Sequence, residues 1–420
     1  MHEAFDQLWV WDDRRVAGAL AWYRRVAVND RPAKYLIAAT IPAAIAPERT
    51  GVADLRAELK RLTPDFVSRW NAIAGRGADL PEQALGPSLL EVAAALARRL
   101  LARCTFCEWN CRVDRSAGTR RGTCKLGGAT RVSSYFHHPG EELVFRGTRG
   151  SGTIFFTSCN MRCAFCQNGD ISTDKDNGDV VAPRTLATMA WLLRMEGCHN
   201  VNWVGGDPTI HLHTIVDAIA LLGRGFEPDR AALSAALPTK GDAMPAGMRA
   251  AARAGFGGRL NAPMLWNSNF IMTLEAMEIL RPLMDVWLPD FKFGPGDCAK
   301  RLARTPWYWD RVTRNLALLR DWGEDLTIRH LVMPNHVACC TRPVLDWIAQ
   351  NLPDAPVNIM DQYRPDQACS PRHARYDPKF EDLSRRVGGD EVEAAWRHAE
   401  RLGLAWDTIT REKARAAAWR

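Results

Sequence analysis

From about residue 151 the chain alternates short apolar, β-branched runs with amphipathic stretches, and this alternation narrows the possible folds more than any other feature. The strand-like runs are Thr153–Thr157, Val201–Val204, Pro263–Trp266, Val286–Asp290, Leu326–Val332 and Val357–Met360. Between them Leu186, Met189, Ala190 and Leu193, and then Leu212, Ile215, Val216 and Ile219, recur at the spacing of a helix with one buried stripe. Thr341, ahead of Val344, Trp347 and Ile348, reads as the N-cap of another helix. Strands alternating with helices imply a parallel sheet with right-handed crossovers. Six units fall short of the eight that close a barrel. The expected fold class is therefore α/β, with an open, partial (β/α)6 TIM-like barrel over residues 151–375.

The flanking regions read differently. Residues 1–95 suggest helices around Trp9–Val26 and Asp54–Ile73 but carry no motif, so a cap, a partner surface and a substrate-recognition module all stay open. Residues 96–150 form a Cys-rich module that follows a helical run, Leu90–Leu101. Residues 376–420 form a helical tail with Val392, Ala395, Trp396 and Ala399 on one face. Residues 224–260 read as an insertion between the second and third units, and with residues 1–95 they are where substrate specificity is expected. The longest apolar stretch, Tyr35–Pro47, is interrupted by Pro42 and is too short to span a bilayer. With no leader evident, a cytoplasmic protein without a membrane partner is expected.

Seven of the 12 cysteines fall between Cys104 and Cys166, in two tight groups, which reads as metal ligation rather than a disulfide framework. Cys198, Cys298, Cys339, Cys340 and Cys369 are scattered and read as small buried hydrophobes. Cys159, Cys163 and Cys166 lie in one loop directly after the first strand. Their spacing can wrap three corners of a [4Fe-4S] cluster, whereas a closed structural site takes four thiolates. The iron left without a protein ligand is open to a chelator, as in catalytic zinc sites, and the amine and carboxylate of S-adenosylmethionine (SAM) suit it. Zinc with a distant fourth ligand, or three unliganded thiols, are the alternatives. Phe165 is placed to shield the cluster. The other group, Cys104, Cys107, Cys111 and Cys124, supplies four thiolates and fits either a second [4Fe-4S] cluster for electron relay or a structural zinc. Spacing does not separate the two, although a relay requirement favours iron–sulfur.

In parallel α/β folds ligands gather at the carboxyl ends of the strands. Gly205-Gly206-Asp207 follows the second strand, Asn267-Ser268-Asn269 the third, Asp290 and Lys292 the fourth, and Pro334-Asn335-His336 the fifth. Taken singly these are an ordinary turn, turn-capping asparagines and a solvated ion pair. Their shared placement is more informative.

The run Cys-Asn-Met-Arg-Cys-Ala-Phe-Cys-Gln-Asn over residues 159–168 resembles the signature of radical SAM proteins related to pyruvate formate-lyase activating enzyme. The similarity continues in order through Val204–Thr209, Trp266–Asn269, Val286–Lys292, Ile328–Pro334 and Gln362–Pro365, over about residues 96–405, and is greatest to an uncharacterised branch with an N-terminal cysteine cluster. The resemblance implies an oxidoreductase that cleaves SAM reductively to a 5′-deoxyadenosyl radical, which abstracts hydrogen from a substrate. A flavodoxin or ferredoxin would supply the electron. A protein or peptide is the expected substrate, because the named relatives act on a polypeptide glycine. By the same resemblance Gly205, Gly206 and Asp207 receive the SAM amino group, with Asp where most relatives carry Glu. Asp290 and Lys292 lie beside SAM, Arg329 lies near its carboxylate, and Asn267 and Asn269 are candidates to bond its ribose or carboxylate. The histidine that activating enzymes carry near the last strand is replaced by Gln362 and Tyr363.

Two rival functions remain at the level of sequence. One is a radical SAM enzyme acting on a small metabolite, including methyl transfer, although the Asp-x-His-x-x-Gly cobalamin signature is not seen. The other is a metal-cluster module binding nucleic acid through Arg112, Arg115, Arg120, Arg121 and Lys125, given a net charge of +7. A solvated basic face is the plainer reading, and nucleic acid is not the expected partner. His137 and His138 with Glu141 and Glu142 read as a polar loop between domains, with a metal role as the alternative.

Overall fold

A computed structural model describes residues 5–240 and 255–412. Six strands run parallel in chain order: β2 (Ser151–Phe156), β4 (Val201–Gly205), β5 (Met264–Ser268), β6 (Val286–Pro289), β7 (Ile328–Leu331) and β8 (Val357–Met360). The sheet continues from β6 to β7 through parallel bridges at Trp287–Leu326 and Asp290–Arg329. Helices α3 (Pro183–Met195), α4 (Leu212–Gly223), α6 (Leu274–Leu280), α7 (Cys298–Ala303), α8 (Tyr308–Trp322) and α9 (Arg342–Asn351) fall between successive strands. The result is the open, partial (β/α)6 barrel that the alternation implies.

Register explains three of the tryptophans. Ile154, Trp203, Trp266 and Trp287 are direct cross-strand partners on four adjacent strands, and all are buried. They form one layer on one face of the sheet, and such aligned pairs are the unit of sheet stabilisation. The opposite face presents Val204 and Asn267 to the barrel cavity.

The strands at the edge of the sheet are not among the runs read from the sequence. β1 (Thr130–His138) lies antiparallel to β2, with a bulge between Val132 and Ser134, and β3 (Asp179–Val181) pairs with its first residues. Its Arg, Ser and His side chains hide it, because an edge strand with one half-buried face lacks the apolar run of a central strand. Helix α5 (Arg230–Lys240) packs over β1; the remainder of the 224–260 insertion between residues 241 and 254 lies outside the described residues. The other rim is closed as well: Val357 donates its amide to Ala405 O at 2.8 Å, and Ile359 donates to Thr410 Oγ1 at 2.9 Å. Residues 389–401 form the expected tail helix, α10 (Gly389–Arg401), burying Val392, Ala395 and Ala399.

The N-terminal region, with its long helix α1 (Val52–Arg76), supports the barrel from below. Trp22 and the Lys34 amide both bond Asp285, just before β6, and the Tyr23 amide bonds Asp325, just before β7. Asn261, ahead of β5, accepts from the Ala33 amide. Lys34 and Glu324, both with fully buried side chains, pair at 2.5 Å. All these contacts sit at the amino ends of strands, across the sheet from the carboxyl-end loops. These contacts give the region a structural role, and its part in substrate specificity stays an expectation. Two smaller expectations are corrected. Thr341 continues a turn of π-helix into α9 and its hydroxyl bonds His330 rather than capping the helix. Arg115 is buried and spends its guanidinium on the carbonyls of Gly127 and Ile210, so it does not belong to a solvated basic face.

Candidate functional site

At the carboxyl ends of the strands, one cavity of about 200 Å³, open to solvent, is lined by Cys159, Cys163 and Cys166 together with Gly205, Gly206, Asp207, Asn267, Asn269, Asp290, Lys292 and Arg329. The residues singled out after the first four strands, and Arg329 on the fifth, meet there, whereas Pro334, Asn335 and His336 lie outside this cavity.

The triad loop is held tightly. Ser158, at φ +64°, turns the chain out of β2, and its amide donates to Ile171 O. Ala164 and Arg162 donate backbone amides to Leu302 O and Ala303 O at the end of α7, at 2.8 and 3.3 Å. Gly206 lies flat on this loop: a Cβ there would stand 1.6 Å from Ser158 O, so only glycine fits. Gly205, at φ +123°, needs glycine for its backbone conformation too.

The sulfurs meet donors. Met161 N–H and Asn269 Nδ2 donate to Cys159 Sγ at 3.3 and 3.6 Å, and Cys166 Sγ lies 3.2 Å from Ser172 Oγ. Asn160 Nδ2 is buried beside them without a partner among the described groups. Burial pushes the Cys159 thiol well up and the Cys163 thiol up to about 12, so a bare thiolate is disfavoured until a cation compensates it. Three converging thiols with amide donors around them fit a bound iron–sulfur cluster. Phe165 is buried against Phe293 and Tyr363 and walls the cavity with carbon.

The polar side of the cavity carries paired charges. Asp207 is buried and accepts amides from Thr209 and Asn269 at 2.9 and 3.0 Å; burial raises its carboxyl to about 6. Asp290 and Lys292 form an ion pair that is mostly buried, not solvated. Burial alone would lower the Lys292 ammonium, but Asp290 and Cys163 beside it raise it on balance. Asn269 is committed to Cys159 and Asn160, so it supports the triad. Arg329 contacts Asn267 Oδ1 at 3.4 Å and forms ion pairs with Glu141 and with Glu142, the latter at 2.7 Å. Those two carboxylates were expected in a polar loop. They are instead 5% and 3% exposed, and they wall a second cavity continuous with the first through Gln167, Val204, Asn267 and Gln362. Nothing in the sequence marks them for burial, since their partners Arg329, Asn202 and Asn358 come from three distant strands.

Cys104, Cys107, Cys111 and Cys124 line a small enclosed cavity of their own. Positive φ at Asn110 and Arg112, on either side of Cys111, and at Lys125, after Cys124, turns the chain back beside two of them. This module abuts the triad loop: Trp109 Nε1 donates to Asn160 O at 2.6 Å, and the Arg162 guanidinium donates to Thr123 O. A third grouping went unread. Cys298, His336, Cys339 and Cys340 bring one ligand atom each within 4.8 Å of one another, although their cysteines were read as buried hydrophobes. The His336-x2-Cys339-Cys340 spacing was the available signal.

Among the described residues no helix is long and apolar enough to cross a membrane. Residues 153–348 match the family model described as the radical SAM superfamily. An uncharacterized protein of Methanocaldococcus jannaschii is 36% identical over 323 residues, which cover 76% of this chain and 80% of that protein. Among solved structures, Streptococcus suis SuiB bound to precursor peptide SuiA aligns with a TM-score of 0.40 at 9% identity, covering 84% of this chain. The present chain spans 61% of that structure's length. SuiB bound to S-adenosylmethionine aligns with a TM-score of 0.36 at 10% identity, covering 60% of this chain and 48% of that one.

Proposed function

Because the chain belongs to the radical SAM superfamily, we propose that Cys159, Cys163 and Cys166 hold its [4Fe-4S] cluster, leave one iron to SAM, and serve the modification of a protein or peptide substrate. The cofactor pair, when bound, supplies reductive cleavage of SAM to a 5′-deoxyadenosyl radical that takes hydrogen from the substrate. The residues of this chain position and protect that chemistry. Met161 N–H and Asn269 Nδ2 stabilise the Cys159 thiolate, and hydrogen bonds to cluster sulfurs tune reduction potential. Gly205 and Gly206 let a ligand approach the backbone, and the Asp207 carboxylate accepts from an N–H of its amino group. Lys292, held by Asp290, places a cation beside Cys163. Phe165 excludes water from the cysteine side.

The convergence of three buried thiols, a glycine pair and Asp207 on one strand-end cavity carries this reading. The polypeptide substrate is supported by the ordered resemblance to the activating-enzyme branch and by the second cavity, which gives room beyond SAM. The N-terminal cysteines are read as a second [4Fe-4S] cluster that passes electrons from a flavodoxin or ferredoxin; their contacts with the triad loop support this. The test is anaerobic: the reconstituted protein with dithionite and SAM should form 5′-deoxyadenosine. A fully loaded protein that forms none overturns the reading. A mass shift on a peptide, rather than on a metabolite, then identifies the substrate class.

A further inference from the structure

We propose that Cys298, Cys339, Cys340 and the Nδ1 atom of His336 bind a single tetrahedral zinc ion that braces the triad loop from behind. Tetrahedral zinc with Zn–S of about 2.3 Å and Zn–N of about 2.0 Å holds its ligand atoms roughly 3.5–3.8 Å apart. Here Cys298 Sγ lies 3.6 Å from Cys339 Sγ, which lies 4.0 Å from Cys340 Sγ. His336 Nδ1 stands 3.4, 3.2 and 4.0 Å from Cys298, Cys339 and Cys340. These are the edges of one coordination sphere. A polynuclear cluster places each thiolate on its own iron and would hold the sulfurs farther apart.

The surroundings are built for the same purpose. His336 Nε2 lies 3.2 Å from Asp382 Oδ2 and 3.1 Å from Arg301 Nη2; with the ring proton on Nε2 and bonded to Asp382, a carboxylate–histidine arrangement, Nδ1 is the nitrogen offered to a metal. Arg301 clamps Asp382 with two bonds, at 3.0 and 2.5 Å, and offsets the negative charge that three thiolates leave on zinc. The chain is shaped around the group. The His336 carbonyl accepts from both Cys340 and Thr341 amides in the π-helical turn, a local widening frequent at functional sites. Gly294 packs so closely that a Cβ there would meet Cys339 O at 2.1 Å.

Its position gives the site a role. Cys298 opens α7, and the last two residues of that helix, Leu302 and Ala303, accept the backbone amides of Ala164 and Arg162 in the triad loop. His336, Cys339 and Cys340 follow β7, and Asp382 comes from the chain after β8. A zinc ion here ties three separate segments together and fixes one end of the short helix whose other end holds the triad loop.

Zinc content of the full chain, purified anaerobically and supplied with stoichiometric Zn²⁺, tests this by elemental analysis. One zinc per chain should be lost in Cys339→Ser/Cys340→Ser and kept in Cys104→Ser/Cys107→Ser. Co²⁺ in place of zinc should give a thiolate-to-cobalt charge-transfer band and intense visible bands with the same dependence. Asp382→Asn, which removes no ligand and touches no core, should weaken zinc in chelator competition by about 10- to 100-fold. A wild-type chain that takes up no zinc overturns the proposal, as does zinc or cobalt held equally by wild type and the Cys339→Ser/Cys340→Ser variant.

Discussion

The hydroxyl of Ser158 donates to the carbonyl of Cys124 at 2.6 Å, joining the residue before the triad to the last cysteine of the N-terminal group. The two thiol clusters thus share a wall, with Trp109 and Arg162 making further bonds across it. Short, bonded contact of this kind is what an electron relay needs.

The first prediction follows from that wall. Cys104→Ser/Cys107→Ser should lower iron content by about half if the module holds the proposed second cluster. It should retain 5′-deoxyadenosine formation driven by dithionite and lose most of that driven by flavodoxin or ferredoxin. Iron assay and product chromatography check both arms; unchanged iron with lost zinc would assign the module to zinc instead.

Asp207 should make SAM binding depend on pH. Burial raises its carboxyl to about 6, so the ionised fraction falls as pH drops from 7 to 5, and with it the charge that accepts the N–H of the SAM amino group. KM for SAM should rise over that interval. Asp207→Asn should raise KM at pH 7.5 by about 10- to 100-fold, the worth of a charge-assisted hydrogen bond, and flatten the pH profile. A variant whose KM keeps the wild-type slope would assign the titration elsewhere.

Gly206→Ala should damage the cluster loop before it damages the barrel. Its Cβ would fall 1.6 Å from Ser158 O, and backbone cannot yield as a side chain can. Overpacking of this kind costs about 1–3 kcal/mol or more. Iron retained after reconstitution should drop sharply, with far-ultraviolet circular dichroism little changed. Full iron loading would contradict the packing argument.

Lys34→Met should destabilise the whole protein by about 3–5 kcal/mol, because it leaves the buried Glu324 carboxylate uncompensated. Lys34→Met/Glu324→Gln should recover much of the loss, since glutamine can still accept from Trp287 Nε1, now 3.0 Å from Glu324. Chemical denaturation measures both variants. Equal losses in the single and double variants would refute the charge explanation.

The barrel was legible in the sequence because its strands are buried on both faces and so read as apolar runs; β5 and β6 are buried throughout. The site was legible because such strands deliver their loops to one end. What escaped detection depended on distance in the chain. Glu141 and Glu142 become buried only through Arg329, nearly two hundred positions later, and Cys298 meets His336 only when α7 and the turn after β7 come together. The supporting role of residues 5–76 escaped for the same reason, since Lys34 looks like any exposed lysine until Glu324 lies beside it. β1 was hidden by composition: a strand at a sheet's margin need not be apolar.

At one margin of the sheet β1 is covered by β3 only over Thr130–Val132, whereas at the other the β8 amides of Val357 and Ile359 are taken by Ala405 O and Thr410 Oγ1. If the substrate is the proposed polypeptide, docking as an added strand would fall at the β1 margin and not at β8. Entry end-on or as a bent loop would instead be recognised by side chains and not by main-chain amides. Tolerance of backbone N-methylation away from the modified residue would be the practical signature of such entry.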